Sequence, residues 1–173
     1  MGKMAKLCGI VLMALLMLGT SACLGYTPAS RAMAAVDSPA PDFSLHTLDG
    51  QLVQLSSFKG KPVLLNFWAT WCPPCQSEMP YMQQVHDAWT PKGLVMLNVD
   101  VGETPVAIQS FLTQHKLSLT VPVDSTQSVS NTYSITGIPT TFFIDKSGII
   151  RQKTVGAFPS KEAIESELSS IVR

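Results

Sequence analysis

The feature that most constrains the fold is an apolar run that ends at a pair of cysteines. Residues 62–69 read Pro-Val-Leu-Leu-Asn-Phe-Trp-Ala, the composition of a central strand that helices cover on both faces. Cys72 and Cys75 follow, and apolar residues such as Met79 and Met82 then recur at helical spacing. The chain therefore places a Cys-x-x-Cys pair where a buried strand meets a helix.

The remaining segments alternate between strand and helix patterns. A period-two pattern on either side of Asp49-Gly50 predicts a hairpin. Further strands and helices are predicted, in chain order, at residues 93–101, 103–117, 119–124, 126–135, 140–145, 149–155 and 160–172. This order predicts an α/β fold with a central mixed sheet flanked by helices on both faces.

Residues 1–34 are predicted to be a leader and tether, and residues 35–173 a single domain. Lys3 and Lys6 precede an uncharged apolar stretch, residues 7–18, and small residues follow it. A basic start followed by an apolar stretch is typical of a secretory leader rather than of a folded segment.

Three fates of this leader remain open. The sequence Thr-Ser-Ala-Cys resembles a lipobox, in which Cys23 becomes lipid-modified. Cleavage near Ala22 or at residues 32–34 would instead release a soluble protein. Without cleavage the uncharged stretch between Lys6 and Arg31 would serve as a membrane anchor. All three place the domain outside the cytoplasm, because positive charge precedes the apolar run.

The charge of the predicted domain argues against a nucleic-acid partner. From Ala35 onward there are nine basic and twelve acidic residues, a formal charge of −3, so the domain has no basic footprint. Cys8 and Cys23 belong to the leader, which leaves Cys72 and Cys75 as the domain's cysteines.

No metal site is predicted around the cysteine pair. A structural zinc site needs four ligands, and His46, His86 and His115 follow no ligand spacing. Covalent haem attachment needs histidine directly after the second cysteine, where Gln76 stands.

Two further uses of the pair are also disfavoured. A peroxidatic cysteine would resemble Pro-x-x-x-Thr-x-x-Cys, but Leu65 and Ala69 occupy the Pro and Thr positions. A purely structural disulfide closing so short a loop would constrain little of the unfolded chain.

Redox exchange is the use that remains. A sulfur at a helix N-terminus is stabilised as thiolate by free N–H groups and the helix dipole, which lowers a cysteine pKa from about 8.5 to roughly 3.5–7.5. Cys72 is therefore predicted to be the nucleophile, and Cys75 to resolve the mixed disulfide. No cofactor beyond this pair is predicted.

The motifs Asn-Phe-Trp-Ala-Thr-Trp-Cys-Pro-Pro-Cys, residues 66–75, and Gly-Ile-Pro-Thr-Thr-Phe-Phe-Ile-Asp, residues 137–145, resemble the thioredoxin superfamily. The leader, the N-terminal hairpin and a helical insert at residues 103–117 resemble the TlpA/ResA-like thiol-disulfide oxidoreductases in particular. The resemblance implies a thioredoxin-like fold, protein disulfides as substrates, a membrane electron donor and a monomeric state.

The resemblance also implies a substrate-binding surface. Pro139 matches the cis-proline that faces the cysteines in this fold, and Ile138 would pair its backbone with the substrate peptide. Trp71 matches the tryptophan that shields the sulfurs, its alternative being ordinary core packing. Pro73 and Pro74 complete the predicted surface.

A proton handler is also predicted. Many thioredoxins carry a buried aspartate where Asn66 stands here, and an amide does not titrate. Glu78 lies three residues after Cys75, on the same side of the helix, and matches an acidic residue of ResA-like proteins. We predict that Glu78 relays the proton of the pair, the alternative being an exposed helix glutamate.

The direction of electron flow follows from the two prolines. Pro73 and Pro74 have no N–H to donate to the Cys72 sulfur, so its thiolate is less stabilised and reductase activity is favoured. The family parallel suggests two substrates, apocytochrome c haem-site cysteines or the thiols of another envelope protein such as a copper-site partner, and the sequence does not choose between them. A net oxidase and a copper or haem chaperone remain alternatives.

Overall fold

A computed structural model describes residues 34–172. Its strands are β1 (Ser44–His46), β2 (Leu52–Gln54), β3 (Val63–Trp68), β4 (Val95–Val101), β5 (Val123–Asp124), β6 (Thr140–Ile144) and β7 (Ile150–Val155). Its α-helices are α1 (Pro73–Trp89), α2 (Pro105–His115), α3 (Ser128–Thr132) and α4 (Lys161–Leu168). The predicted order of hairpin, strands and helices is confirmed.

A five-stranded mixed sheet in the order β5-β4-β3-β6-β7 forms the centre. The pairs β3–β4 and β4–β5 are parallel, whereas β3–β6 and β6–β7 are antiparallel. The apolar run predicted to be central forms β3, and every residue of this strand is buried. The mixed sheet with flanking helices confirms the predicted thioredoxin-like fold.

Alternation along β3 divides the core into two layers. Leu64 and Trp68 point to the layer that contains α1, α2 and α4. Val63, Leu65 and Phe67 point to the opposite layer, which contains the β1–β2 hairpin and α3. Because side chains alternate along a strand, both faces of β3 require apolar residues, and helices do cover both faces of the sheet.

The first described residues lie at the end of the sheet opposite to the cysteines. The N–H of Ala40 donates to the carbonyl of Gly148, in the turn between β6 and β7. That turn adjoins the pair of Ile144 and Val63, at the start of β3, whereas Cys72 follows the end of β3. The six residues of β3, about 20 Å, therefore separate the incoming chain from the dithiol.

Two predictions need comment. The helical period of residues 103–117 places Val106 with Phe111 and Leu112 on the apolar face of α2, but Val106 is 76% exposed, and Ile108 is buried instead. The leader and tether are predicted at residues 1–34, of which residues 1–33 lie outside the described residues. Within residues 34–172, no helix is long and apolar enough to cross a membrane.

Candidate active site

Cys72 and Cys75 lie at the N-terminus of α1 and form a disulfide. Cys72 is the N-cap residue, and its Sγ accepts the backbone N–H of Cys75 at 3.2 Å. Cys72 retains 3% exposure, whereas Cys75 is completely buried. The outer sulfur is thus the one that a partner can reach, as the predicted division of roles requires.

The two prolines between the cysteines occupy the first two helical positions, where a missing N–H is tolerated. An N-cap side chain usually accepts from the second or third helical residue. Pro74, the second, has no N–H, so Cys75, the third, is the backbone donor that reaches Cys72 Sγ. Both prolines are exposed beside the disulfide.

The peptide bond between Ile138 and Pro139 is cis, as predicted. Cys72 Sγ lies 3.6 Å from the carbonyl oxygen of Ile138. Pro139 is buried, and Ile138 is half-buried. The loop before β6 and the N-terminus of α1 therefore meet at the sulfur, where an extended substrate segment could reach both.

Trp71 precedes the nucleophile and is 64% exposed, so its alternative assignment to ordinary core packing is wrong. The indole makes none of the hydrogen bonds or ring contacts found among residues 34–172. Trp71 instead presents a large aromatic surface to solvent next to Cys72.

Glu78 is completely buried, so its alternative description as an exposed helix residue is wrong. Its Oε1 accepts from Asn66 Nδ2 at 3.1 Å, and its Oε2 accepts from the N–H of Phe158 at 3.1 Å. Thr141 Oγ1 donates to the amide oxygen of Asn66 at 3.1 Å. Burial raises the pKa of Glu78 to about 7, although both hydrogen bonds oppose this shift.

Cys75 and Glu78 are three residues apart on α1, and such residues are neighbours on one helix face. Both are completely buried. Asn66, which stands in the place of the familiar aspartate, therefore orients a titratable carboxyl on the same face as the inner cysteine.

Sequence reasoning missed a second set of polar contacts around Thr70. Glu103 Oε2 accepts the N–H of Thr70 at 2.5 Å, and Glu103 Oε1 accepts its hydroxyl at 2.6 Å. Gln76 Nε2 donates to the carbonyl of Thr70 at 2.6 Å. The Glu103 contact joins residues 33 positions apart, a separation at which no local sequence pattern operates.

The three histidines do not converge on the cysteines. His46 lies on β1 and is exposed, His86 contacts Asp87, and the ring of His115 stacks on Phe111. Within residues 34–172, no group of three or more histidine, cysteine, aspartate or glutamate residues is arranged to hold a metal ion.

Comparison with known proteins agrees with this geometry. A sequence model of the AhpC/TSA family matches residues 36–153. The thiol-disulfide oxidoreductase ResA of Geobacillus kaustophilus is 38% identical over 167 residues, covering 94% of this chain and 95% of the relative. The chain belongs to the AhpC/TSA family and is a thiol-disulfide oxidoreductase of the ResA type. Although the AhpC/TSA family model matches, this chain lacks the Pro and Thr of a peroxidatic motif, because Leu65 and Ala69 occupy those positions.

Solved structures extend the ResA-type similarity. A thiol:disulfide interchange protein of the thioredoxin family from Chlorobium tepidum has a TM-score of 0.69 and 34% identity, covering 78% of this chain and 96% of the other. A secreted Mycobacterium tuberculosis disulfide oxidoreductase, homologous to E. coli DsbE, has a TM-score of 0.67 and 25% identity, covering 75% and 96%. This ResA-type enzyme thus shares its fold with proteins of the same chemistry.

Proposed function

We propose that this ResA-type protein reduces protein disulfides outside the cytoplasm, with electrons from a membrane-bound dithiol donor. The observation that carries this proposal concerns Cys72 Sγ, the reachable sulfur: among residues 34–172 it accepts a single backbone N–H, that of Cys75. A strong oxidant is one whose reduced form is stabilised. Because Pro74 withholds a second donor, the Cys72 thiolate is less stabilised and the dithiol gives up electrons more readily.

The reaction proceeds in two exchange steps. The Cys72 thiolate attacks one sulfur of the substrate disulfide, which forms a mixed disulfide and releases the other substrate sulfur as a thiolate. The Cys75 thiolate then attacks Cys72 Sγ and releases the second substrate thiol. The substrate gains two electrons and two protons, while the Cys72–Cys75 dithiol becomes a disulfide that the donor dithiol reduces again.

Glu78 is proposed to accept the proton that Cys75 must lose before it attacks. A general base works best with a pKa near the operating pH, and burial raises the pKa of Glu78 to about 7. The hydrogen bonds from Asn66 and Phe158 fix both carboxylate oxygens. The mechanism therefore uses a glutamate on the same helix face as Cys75 rather than an aspartate on β3.

Substrate docking is proposed to use the surface around Cys72. Trp71, Pro73 and Pro74 supply exposed side chains on one side of the sulfur. Ile138 and Pro139 supply backbone on the other side, so that the substrate peptide would lie across the Ile138 carbonyl. No cofactor is needed for either exchange step.

The extracytoplasmic location rests on the predicted leader and is supported by a relative that is described as secreted. Apocytochrome c cysteines are proposed as one substrate, on the family resemblance. A tether to the membrane, as a lipoprotein or through an uncleaved anchor, would keep the domain beside its electron donor, and the domain is proposed to act as a monomer.

The reduction potential of the Cys72–Cys75 couple tests the direction. We expect a value nearer to that of thioredoxin, about −270 mV, than to that of the strong oxidant DsbA, about −120 mV. The assay equilibrates the protein in thiol–disulfide buffers and quantifies the reduced fraction by alkylation. A value near −120 mV would overturn the reductase proposal in favour of a net oxidase.

Two further measurements separate the remaining alternatives. Cys75→Ser should accumulate a mixed disulfide with a protein substrate, because the resolving thiol is gone, whereas Cys72→Ser should form none. A stoichiometric copper ion or haem in the reduced protein, together with absent disulfide reduction, would favour the chaperone.

A further inference from the structure

Thr70, the residue before Trp71, forms hydrogen bonds through its N–H, its hydroxyl and its carbonyl group. The N–H and the hydroxyl of Thr70 donate to the two carboxylate oxygens of Glu103, at 2.5 and 2.6 Å. Its carbonyl accepts from Gln76 Nε2 at 2.6 Å. Hydrogen bonds to a charged group are roughly twice as strong as neutral ones, so Glu103 supplies most of this restraint.

Glu103 is itself oriented from the end of β4. Its N–H donates to Asp100 Oδ1 at 3.0 Å. Asp100 is completely buried, and its pKa is raised to about 8 by burial first, with the Glu103 and Asp124 carboxylates adding to the shift. The raised pKa favours the protonated form of Asp100, which weakens the repulsion between Asp100 and the Glu103 carboxylate.

Trp71 depends on this restraint because, among the described residues, no hydrogen bond or ring contact holds its side chain. The ring is 64% exposed and makes none of the hydrogen bonds or ring contacts seen among the described residues. On one side its backbone continues to Cys72, which is fixed as the N-cap of α1. On the other side its backbone continues to Thr70, so the position of Thr70 decides where the indole stands.

We propose that Glu103 is a positioning residue that, through its two hydrogen bonds to Thr70, holds Trp71 in place for docking of the protein substrate. This inference deepens the proposed function and rests on it. Glu103 touches neither sulfur in the hydrogen-bond pattern of the described residues, so its loss acts on docking more than on the exchange steps.

The test compares Glu103→Gln with the wild-type protein, using insulin as the protein disulfide and a small aromatic disulfide as the reference substrate. A fixed excess of a small dithiol reduces the Cys72–Cys75 disulfide again after each turnover, and its direct reaction with each substrate is subtracted. We expect KM for insulin to rise roughly tenfold, the change that corresponds to losing one hydrogen bond to a charged group. The value of kcat should fall much less. Glu162→Gln is the matched control, because Glu162 is an exposed glutamate of α4.

A pair of substitutions at Thr70 keeps the test independent of the stability of the Glu103 variant. Thr70→Ser retains the hydroxyl and should retain the wild-type KM, whereas Thr70→Val loses the donor to Glu103 Oε1 and should raise KM. In the oxidised protein, Glu103→Gln should also speed hydrogen exchange of the Thr70 amide, measured by NMR.

The outcomes separate this inference from the proposed function. If the wild-type protein reduces insulin but Glu103→Gln and Thr70→Val leave its KM unchanged, the positioning role is wrong and the reductase stands. If both variants lower the rates on the two disulfides by the same factor, Glu103 supports the whole site rather than docking, which also overturns the inference. If the wild-type protein reduces neither disulfide, the proposed function itself fails.

Discussion

Glu78 should make the folded protein less stable as the pH rises through the range in which its carboxyl ionises. Its pKa is raised from 4.5 to about 7 in the folded state, chiefly by burial. A carboxyl with a raised folded-state pKa binds more protons when folded than when unfolded, so stability falls as pH increases. From these two pKa values, the loss in the free energy of unfolding is about 1 kcal/mol at pH 5 and about 3 kcal/mol at pH 8.

The perturbation is Glu78→Gln, which has a similar shape but no titrating group. The glutamine places an N–H donor against either Asn66 or Phe158, so the variant loses some stability at every pH. The difference in the free energy of unfolding between variant and wild type should nonetheless shift by about 2–3 kcal/mol between pH 5 and pH 8, in favour of the variant.

The assay is urea unfolding of the oxidised protein at several pH values, because disulfide-bonded cysteines do not titrate. Asp100 also has a raised pKa, about 8, but it is common to both proteins and cancels in the difference. Glu162→Gln is the control: hydrogen bonds from its own N–H and from Ser160 lower the pKa of Glu162. Its ionisation therefore affects stability below pH 5 and not between pH 5 and 8.

Parallel pH profiles for wild type and Glu78→Gln between pH 5 and 8 would refute the reasoning. Such a result would mean that Glu78 ionises in the folded protein as it does in the unfolded chain. The carboxyl would then be charged throughout the working range, and its proposed exchange of a proton with Cys75 near neutral pH would lose its basis.

Two other substitutions test the redox site and the core separately. Pro74→Ala restores an N–H at the second helical position and should lower the pKa of Cys72 and raise the reduction potential of the Cys72–Cys75 couple. Thiolate absorbance measures the pKa, and redox titration measures the potential. Pro73→Ala is the control and should shift both values less, because the N–H of the first helical residue does not point at the N-cap side chain. Tyr133→Phe removes the hydroxyl that donates to the buried Pro41 carbonyl at 2.6 Å, so urea unfolding should show a loss of about 1–3 kcal/mol.

The parts of the fold that the sequence predicts are those with strong local patterns. The run that becomes β3 is apolar at nearly every position, and the hairpin turn carries Gly50, whose φ is +82°. Ser160, directly before the amphipathic pattern of the last helix, is a residue type typical of an N-cap, and its Oγ accepts the N–H of Ala163. These features depend on residues within one element or one turn, so neighbouring sequence positions are enough to reveal them.

Of the candidate site, the sequence predicts mainly the arrangement of residues that lie on the single helix α1. Helical spacing places Cys75 and Glu78 on one face, but it does not reveal that Glu78 is buried against Phe158, which is 80 residues away. The contact between Glu103 and Thr70 likewise depends on two loops that meet after β3 and β4 because these strands are parallel neighbours. Such contacts follow from tertiary pairing and leave no periodic signal.

The entry of the chain at the far end of the sheet has a practical consequence for immobilisation. Ala40 is bonded to the turn at Gly148, and Cys72 lies beyond the opposite end of β3, about 20 Å away for its six residues. A bead or sensor surface coupled at the first described residues, near Ala40, therefore lies at the end of β3 opposite to Cys72. Mixed disulfides at Cys72 then form on the side of the domain away from such a support.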